Sequence, residues 1–317
     1  MINADTIRPK TLDELIGQEQ IKQKLRVAMG AALVRNEPLG HVLLTSSGGG
    51  LGKSSLANII SNEMLSPLLS TTGQCILSTR DLKHWLVKLE PSSILFIDEA
   101  HCLGRLAAEE LLLVVEQNIL NVTLGATGPI RFQLPPWTLI LASTKPECFS
   151  APLVQRFPLQ LHLDYYSVEE LEQIVEGMTQ RMGFEFDAQI HHEIAKRAKG
   201  IPRIGLRLCE RVRDVAQAQC LNRAGMDEFR VAMQIEGIDA LGLNRQDRHY
   251  LHALAQAEPR PIGARTLSLI LGVNTASITD VVEGPLVRLG LVTIGMGGRR
   301  LTPKGTEHLE SVGDEYD

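Results

Sequence analysis

The 317-residue sequence has no paired-cysteine motif, no long apolar run and no net positive charge. Its five cysteines (Cys75, Cys102, Cys148, Cys209, Cys220) are odd in number, scattered and without a C-x-x-C pair, which predicts reduced thiols rather than a disulfide frame or a zinc site. No apolar stretch approaches the ~18 residues that a spanning helix needs. Met1 to Lys10 carry no basic segment followed by an apolar one, so no export signal is read and a cytoplasmic protein with no membrane partner is expected. A formal net charge of −5 argues against a surface that coats nucleic acid as a whole, and leaves a local basic patch open. His191 and His192 are adjacent and would point apart on a helix, so they read as solvated or capping groups rather than metal ligands.

What is present is an ordinary globular composition, 44% hydrophobic and 22% charged, in a length that suits two or three domains. The first half holds three uninterrupted apolar runs, 41–45, 94–97 and 139–142. Runs without polar alternation read as strands buried on both faces of a parallel sheet, hence an α/β domain. From Ser167 the pattern turns helical. Ser167 with Glu170 reads as a capping box, and Val168, Leu171, Ile174, Val175, Met178 and Met182 form an apolar stripe. Further helices are expected over about 190–199 and 202–224, making a small all-α unit. After Gly237 the expectation is helices near 246–257, 264–271 and 275–289, then a hairpin through the Gly295–Gly298 turn, which together make a winged helix. The acidic end with Glu310, Asp314, Glu315 and Asp317 reads as a frayed tail.

Directly after the first strand comes the run Ser46, Ser47, Gly48, Gly49, Gly50, Leu51, Gly52, Lys53, Ser54, Ser55, followed by a helical stretch. Glycines let successive backbone N–H groups converge on phosphate oxygens, Lys53 would reach the β- and γ-phosphates of ATP, and Ser54 would hold Mg²⁺. The match to G-x-x-x-x-G-K-[ST] lacks only its first glycine, replaced by Ser47. The buried run 94–97 ends in Asp98 and Glu99, placed to hold Mg²⁺ and to polarise the attacking water. The third run ends in Ser143 and Thr144, whose hydroxyls suit orientation of that water. A two-lobed helicase would need a second nucleotide-fold lobe, and the rest of the chain offers a lid and a winged helix instead. That favours an oligomeric ring ATPase.

These residues resemble the RuvB family of AAA+ ATPases, the motor of bacterial Holliday-junction branch migration. The resemblance is carried by 7–18, 36–44, 56–64, 134–140, 150–153 and 200–204 and spans nearly the whole chain. It implies a AAA+ P-loop domain with a parallel sheet over 1–165, a helical lid over 166–238 and a winged-helix DNA-binding domain over 239–317. It further implies that Arg8, Ile16, Gly17 and Tyr166 surround the adenine, that Asp98 and Glu99 are the Walker B pair, that Thr144 is the first sensor and that Arg203 of the lid is the second. Arg156 matches an arginine finger, which would act from the next subunit of a ring, expected to be a hexamer, and neutralise charge developing on the γ-phosphate.

The chain departs from the family pattern at several points. Gly48 and Gly49 stand where the phosphate loop usually has prolines, which raises loop entropy. Val154 replaces an arginine two residues before the finger. The hairpin over 121–133 matches the one that meets a RuvA-like junction-binding partner, with a shorter tip. In the last segment Arg299, Arg300 and Lys304 gather around the wing, with Arg260 and Arg265 nearby in sequence, which suits sequence-independent phosphate contact with duplex or four-way-junction DNA. Asp280 and Glu283 make the third helix a poor base reader. The leading reading is an ATP-driven DNA motor. A clamp-loader-like or remodelling ATPase, and a nucleotide-gated DNA-binding scaffold, stand as alternatives.

Overall fold

The uninterrupted apolar runs form the inner strands of a parallel sheet. A computed structural model describes residues 7–123 and 129–312, and its chain divides into two units, Arg8–Tyr165 and a second made of Ile7 with the segment from Tyr166 onward. In the first, β1 (Val42–Ser46), β2 (Leu68–Thr72), β3 (Ile94–Asp98), β6 (Thr138–Ser143) and β7 (Leu159–Leu163) form a five-stranded sheet in the order β2-β3-β6-β1-β7. Every neighbouring pair is parallel. The inner strands β1, β3 and β6 are almost wholly buried. The edge strands β2 and β7 keep exposed positions.

Parallel strands require crossovers, and helices Lys53–Glu63 after β1 and Arg105–Gln117 after β3 supply two of them. Leu43, Leu95, Leu111, Trp137, Leu139 and Phe157 belong to the core formed on the sheet. The antiparallel pair β4 (Ile119–Thr123) and β5 (Pro129–Gln133) belongs to this unit, with Leu120 buried in its core. The tip expected to be shortened, 124–128, lies outside the described residues.

Strand order fixes the site. Because β6 lies between β3 and β1, the carboxyl end of β6 separates the acidic pair from the phosphate loop, and β7 flanks that loop on its other side. The carboxyl ends of β3, β6, β1 and β7 lie at one edge of the sheet, where ligands of open parallel sheets bind.

The second unit has two hydrophobic cores. One is built on helices Val168–Met182, Ala188–Arg197, Pro202–Ala218 and Met226–Ile235. The expected capping box forms: the Ser167 hydroxyl accepts from the Glu170 N–H at 3.1 Å, and the Glu170 carboxylate accepts from the Ser167 N–H at 2.8 Å. The helix expected to reach about 224 ends at Ala218. Cys220 turns left-handed at φ 58°, and Arg223–Ala224 pairs with Glu185–Phe186 as two short parallel strands.

The other core gathers helices Arg245–Ala257 and Ala264–Leu271 and the hairpin Val292–Gly295 with Gly298–Leu301. The helix expected as one regular run over 275–289 is interrupted. Thr275–Ser277 passes through a π-helical stretch, Ile278–Glu283, into Gly284–Arg288. Pro285 has no N–H to donate back along this helix, so the regular ladder cannot run through it. Glu310, read as part of a frayed tail, lies in a further helix, Pro303–Val312, and 313–317 lie outside the described residues.

Buried polar contacts join the two cores. Lys199 Nζ meets Asp247 Oδ2 at 2.5 Å with both side chains under a tenth exposed. Arg248 Nη1 donates to the carbonyls of Gly237 and Leu243 at 3.0 and 2.8 Å. His308 Nε2 lies 3.0 Å from Asp239 Oδ2. Gly242, at φ 78°, brings its backbone so close to the Arg197 carbonyl that a Cβ would sit 2.3 Å from that oxygen.

Candidate active site

The loop leaving β1 is shaped by glycine. Gly50 and Gly52 take φ of 82° and 110°, conformations that a side chain disfavours, and nothing lies within 4 Å of the position a Cβ on Gly49 would occupy. The helix Lys53–Glu63 starts at once, so its first N–H groups face the loop. Lys53 is buried, and its Nζ donates to Ser46 Oγ at 2.7 Å. Ser46 Oγ in turn donates to the Gly48 carbonyl at 2.7 Å. Leu51 is fully buried, while Ser54 and Ser55 are half-buried.

Ser54 Oγ donates to Asp98 Oδ2 at 3.2 Å, joining the loop to the end of β3. Asp98 Oδ1 accepts the Glu99 N–H at 2.9 Å and helps hold Glu99 at φ 46°. Glu99 Oε2 accepts from Thr144 Oγ1 at 3.3 Å and lies 3.3 Å from His101 Nδ1, which is 3.0 Å from Ser143 Oγ. Lys53, Ser54, Asp98, Glu99 and Thr144 are thus linked along the edge that the strand order creates.

At the other side of the loop, the amide of Gln18 bonds both ways with Asp164, Nε2 donating to its carbonyl at 2.7 Å and Oε1 accepting its N–H at 3.3 Å. This ties the turn carrying half-buried Ile16 and Gly17 (φ 66°) to the end of β7. Arg8 is half-buried in the same unit.

Arg156 follows the short helix Ala151–Val154, and its guanidinium pairs with Glu116 of helix Arg105–Gln117. Tyr166 and Arg203 belong to the second unit. Tyr166 is buried with its N–H on the Gly200 carbonyl at 3.1 Å, and Arg203 is exposed in the first turn of helix Pro202–Ala218. His191 and His192 sit against Thr179 and Glu172 at 3.0 and 2.7 Å. Among the described residues no group of three or more His, Cys, Asp or Glu is arranged to hold a metal ion.

The wing residues divide. Arg299 turns inward and grips buried Glu283 with two bonds, Nε to Oε1 at 2.8 Å and Nη2 to Oε2 at 3.1 Å. The bond to Glu283 raises its pKa further. Tyr250 donates to the same carboxylate at 3.1 Å, and its phenol is pushed up by burial and then by that charge. Arg299 is therefore occupied within the winged helix. Arg300 is exposed, as is Lys304, whose Nζ donates to the Leu289 carbonyl at 2.9 Å.

Three family models match consecutive parts of the chain: the Holliday junction DNA helicase RuvB P-loop domain over 7–163, the RuvB AAA lid domain over 166–239 and the RuvB C-terminal winged helix domain over 240–310. The chain belongs to the RuvB family. A Holliday junction branch migration complex subunit RuvB from Prochlorococcus marinus (strain MIT 9301) is 37% identical, with 99% of this chain and 90% of the relative covered. Another, from Kosmotoga olearia, is 39% identical over 96% and 90% of the two chains. The solved Thermotoga maritima RuvB Holliday junction branch migration motor superposes with a TM-score of 0.85 at 36% identity, covering 96% of this chain and 98% of that one. As a P-loop ATPase of the RuvB family, the chain binds nucleotide. No described helix is long and apolar enough to cross a membrane.

The RuvB resemblance did not single out Gln18, His101, Glu116, His162 or Tyr165. His101, two residues after Glu99, has no pattern of its own along the chain to mark it. His162 stands on β7, whose alternating Leu159, Leu161 and Leu163 mark a half-exposed strand rather than a continuous apolar run.

Proposed function

We propose that this RuvB-family chain is an ATP-driven motor that moves duplex DNA and drives migration of four-way junctions. The observation that carries the reading is the linked set at the sheet edge, with Ser54 Oγ 3.2 Å from Asp98 Oδ2 beside buried Lys53, and Glu99 held by Thr144. Lys53 exchanges its bond to Ser46 for phosphate oxygens of ATP, and the helix N-terminus adds N–H donors. Glu99 accepts a proton from the attacking water, and Thr144 orients the carboxylate. Ser54 and Asp98 supply only hard oxygen donors, one hydroxyl and one carboxylate, a set that suits Mg²⁺. When bound there, Mg²⁺ would draw charge from the β- and γ-phosphates.

In the proposed ring, Arg156 leaves Glu116 for the γ-phosphate of a neighbouring subunit's site. Arg203 and Tyr166 are assigned to the γ-phosphate and the adenine, together with Arg8, Ile16 and Gly17. DNA contact is assigned to Arg300 and Lys304, with Arg299 removed from that set by its pair with Glu283. A junction-binding partner is assigned to the hairpin flank, where Ile130 and Phe132 are exposed. Steady-state ATPase activity with and without branched DNA tests the reading. Turnover stimulated by the junction and abolished by Lys53→Ala is expected, and turnover indifferent to DNA would overturn the motor.

A further inference from the structure

We infer that His162 and Tyr165 are positioning residues for the phosphate loop, supplying from β7 and the residues just beyond it the restraint that three successive glycines remove. The inference rests on the reading of that loop as the nucleotide site. Gly48, Gly49 and Gly50 leave the backbone little intrinsic preference, and each disordered residue must be fixed when phosphate binds. A loop of this composition gains from any outside contact that holds it close to its bound shape.

Such contacts converge on Ser47, the residue that stands in for the first glycine of the motif. The parallel register of β1 and β7 sets Thr45 opposite His162. The imidazole then bridges two hydroxyls, with Nδ1 2.9 Å from Thr45 Oγ1 and Nε2 3.2 Å from Ser47 Oγ. Either neutral tautomer satisfies both, because each hydroxyl can donate or accept. Asp164 Oδ1 lies 3.8 Å from the same Nε2. Three residues on, the Tyr165 hydroxyl donates to the Ser47 carbonyl at 3.3 Å. One segment thus holds both the side chain and the backbone of Ser47.

The glycine that follows makes room for this arrangement. A Cβ on Gly48 would lie 2.9 Å from the Tyr165 hydroxyl, so a side chain there would push the ring tip off the loop. Between the two strap residues, the backbone of Asp164 is anchored by its pair of bonds with the Gln18 amide. On the inner side, Lys53, Ser46 and Gly48 are chained by two bonds of 2.7 Å. A glycine at 47 would remove the partner of His162 Nε2 on the loop and leave the imidazole only its neighbours Thr45 and Asp164 at the strand ends, so Ser47 and the strap act as a matched pair. An edge-strand histidine that was merely solvated would show no such dependence on residue 47.

The test is a double-mutant cycle read as KM for ATP and as the dissociation constant of a fluorescent ADP analogue. His162→Ala is expected to raise both roughly three- to tenfold, the loss of about one hydrogen bond, while kcat and Tm hold steady. His162→Gln keeps a donor and an acceptor within reach of Ser47 and recovers most of the affinity. Tyr165→Phe gives a smaller rise. In a Ser47→Gly background His162→Ala adds nothing. Full additivity of Ser47→Gly and His162→Ala, or a fall in Tm with KM unchanged, would overturn the strap. Lys53→Ala separates the two ideas: if it leaves nucleotide binding intact, the site reading fails, and if it abolishes binding while the His162 variants are silent, only the strap fails.

Discussion

In the first unit, Lys53, Glu99 and Arg156 lean on Ser46, Thr144 and Glu116, neighbours that the proposed ATP, attacking water and adjoining subunit would replace. In the second unit Lys199, Arg248 and Arg299 are instead committed to buried carboxylates and carbonyls. Exposure makes the contrast concrete: the Arg156 side chain is 45% exposed and paired with Glu116, whereas Arg299 is 16% exposed and paired with a Glu283 that is 5% exposed. An exposed pair of this kind is worth at most about 1 kcal/mol and so separates easily. A buried one leaves a naked charge when broken. On the proposed function, the same side-chain types would serve turnover in one region, while in the other they hold buried contacts together.

That contrast fails or holds on variants measured along both axes, rate and stability. The largest rate effect is expected from Arg156→Ala, which should lower ATP turnover roughly 10³-fold or more while Tm stays near wild type. Mixing Arg156→Ala with Lys53→Ala subunits should restore part of the activity, and no recovery at any ratio would place the finger's action within its own chain. Glu99→Gln should retain ATP and turn it over roughly 10²-fold or more slowly, again with little loss of stability. Wild-type turnover in that variant would remove Glu99 from the role of base.

Asp247→Ala reverses the pattern. It strands Lys199 in the joint and should cost about 3–5 kcal/mol in denaturant unfolding, and a change within 0.5 kcal/mol (roughly the surface-substitution range) would end the claim that this joint coheres the unit. The smallest effect comes from a buried group inside the first unit. His41 packs against Trp137 and Phe157, burial lowers its pKa from 6.5 to about 4, and its Nδ1 accepts the Leu139 N–H at 2.9 Å. The unfolded chain takes up this proton near pH 6.5 and the folded chain only near 4, so the stabilisation is whole above pH 6.5 and drains away as pH falls toward 4. Acidification from pH 7 to 5 should cost about 2 kcal/mol through this group. His41→Asn keeps an acceptor for Leu139 and should flatten that slope. An unchanged slope would assign acid sensitivity to other groups.

How much of this was legible in the sequence depended on burial. β1, β3 and β6 are covered on both faces, so each reads as an unbroken apolar run, and the glycine loop and acidic pair stand directly at their ends. The edge strands were not marked, because β7 alternates Leu with Gln160 and His162 and β2 ends in Ser70, Thr71 and Thr72. The strap was hidden for the same reason. Grouping Arg299 with Arg300 as one basic patch overlooked strand alternation, which sends neighbours to opposite faces. Glu283, a charge inside the apolar stripe of Ile278, Val282 and Leu286, was the signal that an arginine had to turn inward to meet it. The joint around Lys199 and Asp247 involves residues 48 positions apart with no local pattern, so nothing along the chain announces it.

Glu99 is held left-handed, at φ 46° and ψ 46°, a conformation that costs an ordinary residue roughly 1–2 kcal/mol and glycine almost nothing. Its carbonyl also runs so close to Gly73 that a Cβ there would sit 2.4 Å away. Glycine at 99 would therefore relieve the backbone while removing the carboxylate that Thr144 Oγ1 meets at 3.3 Å, so Glu99→Gly should gain stability and, on the proposed function, lose turnover.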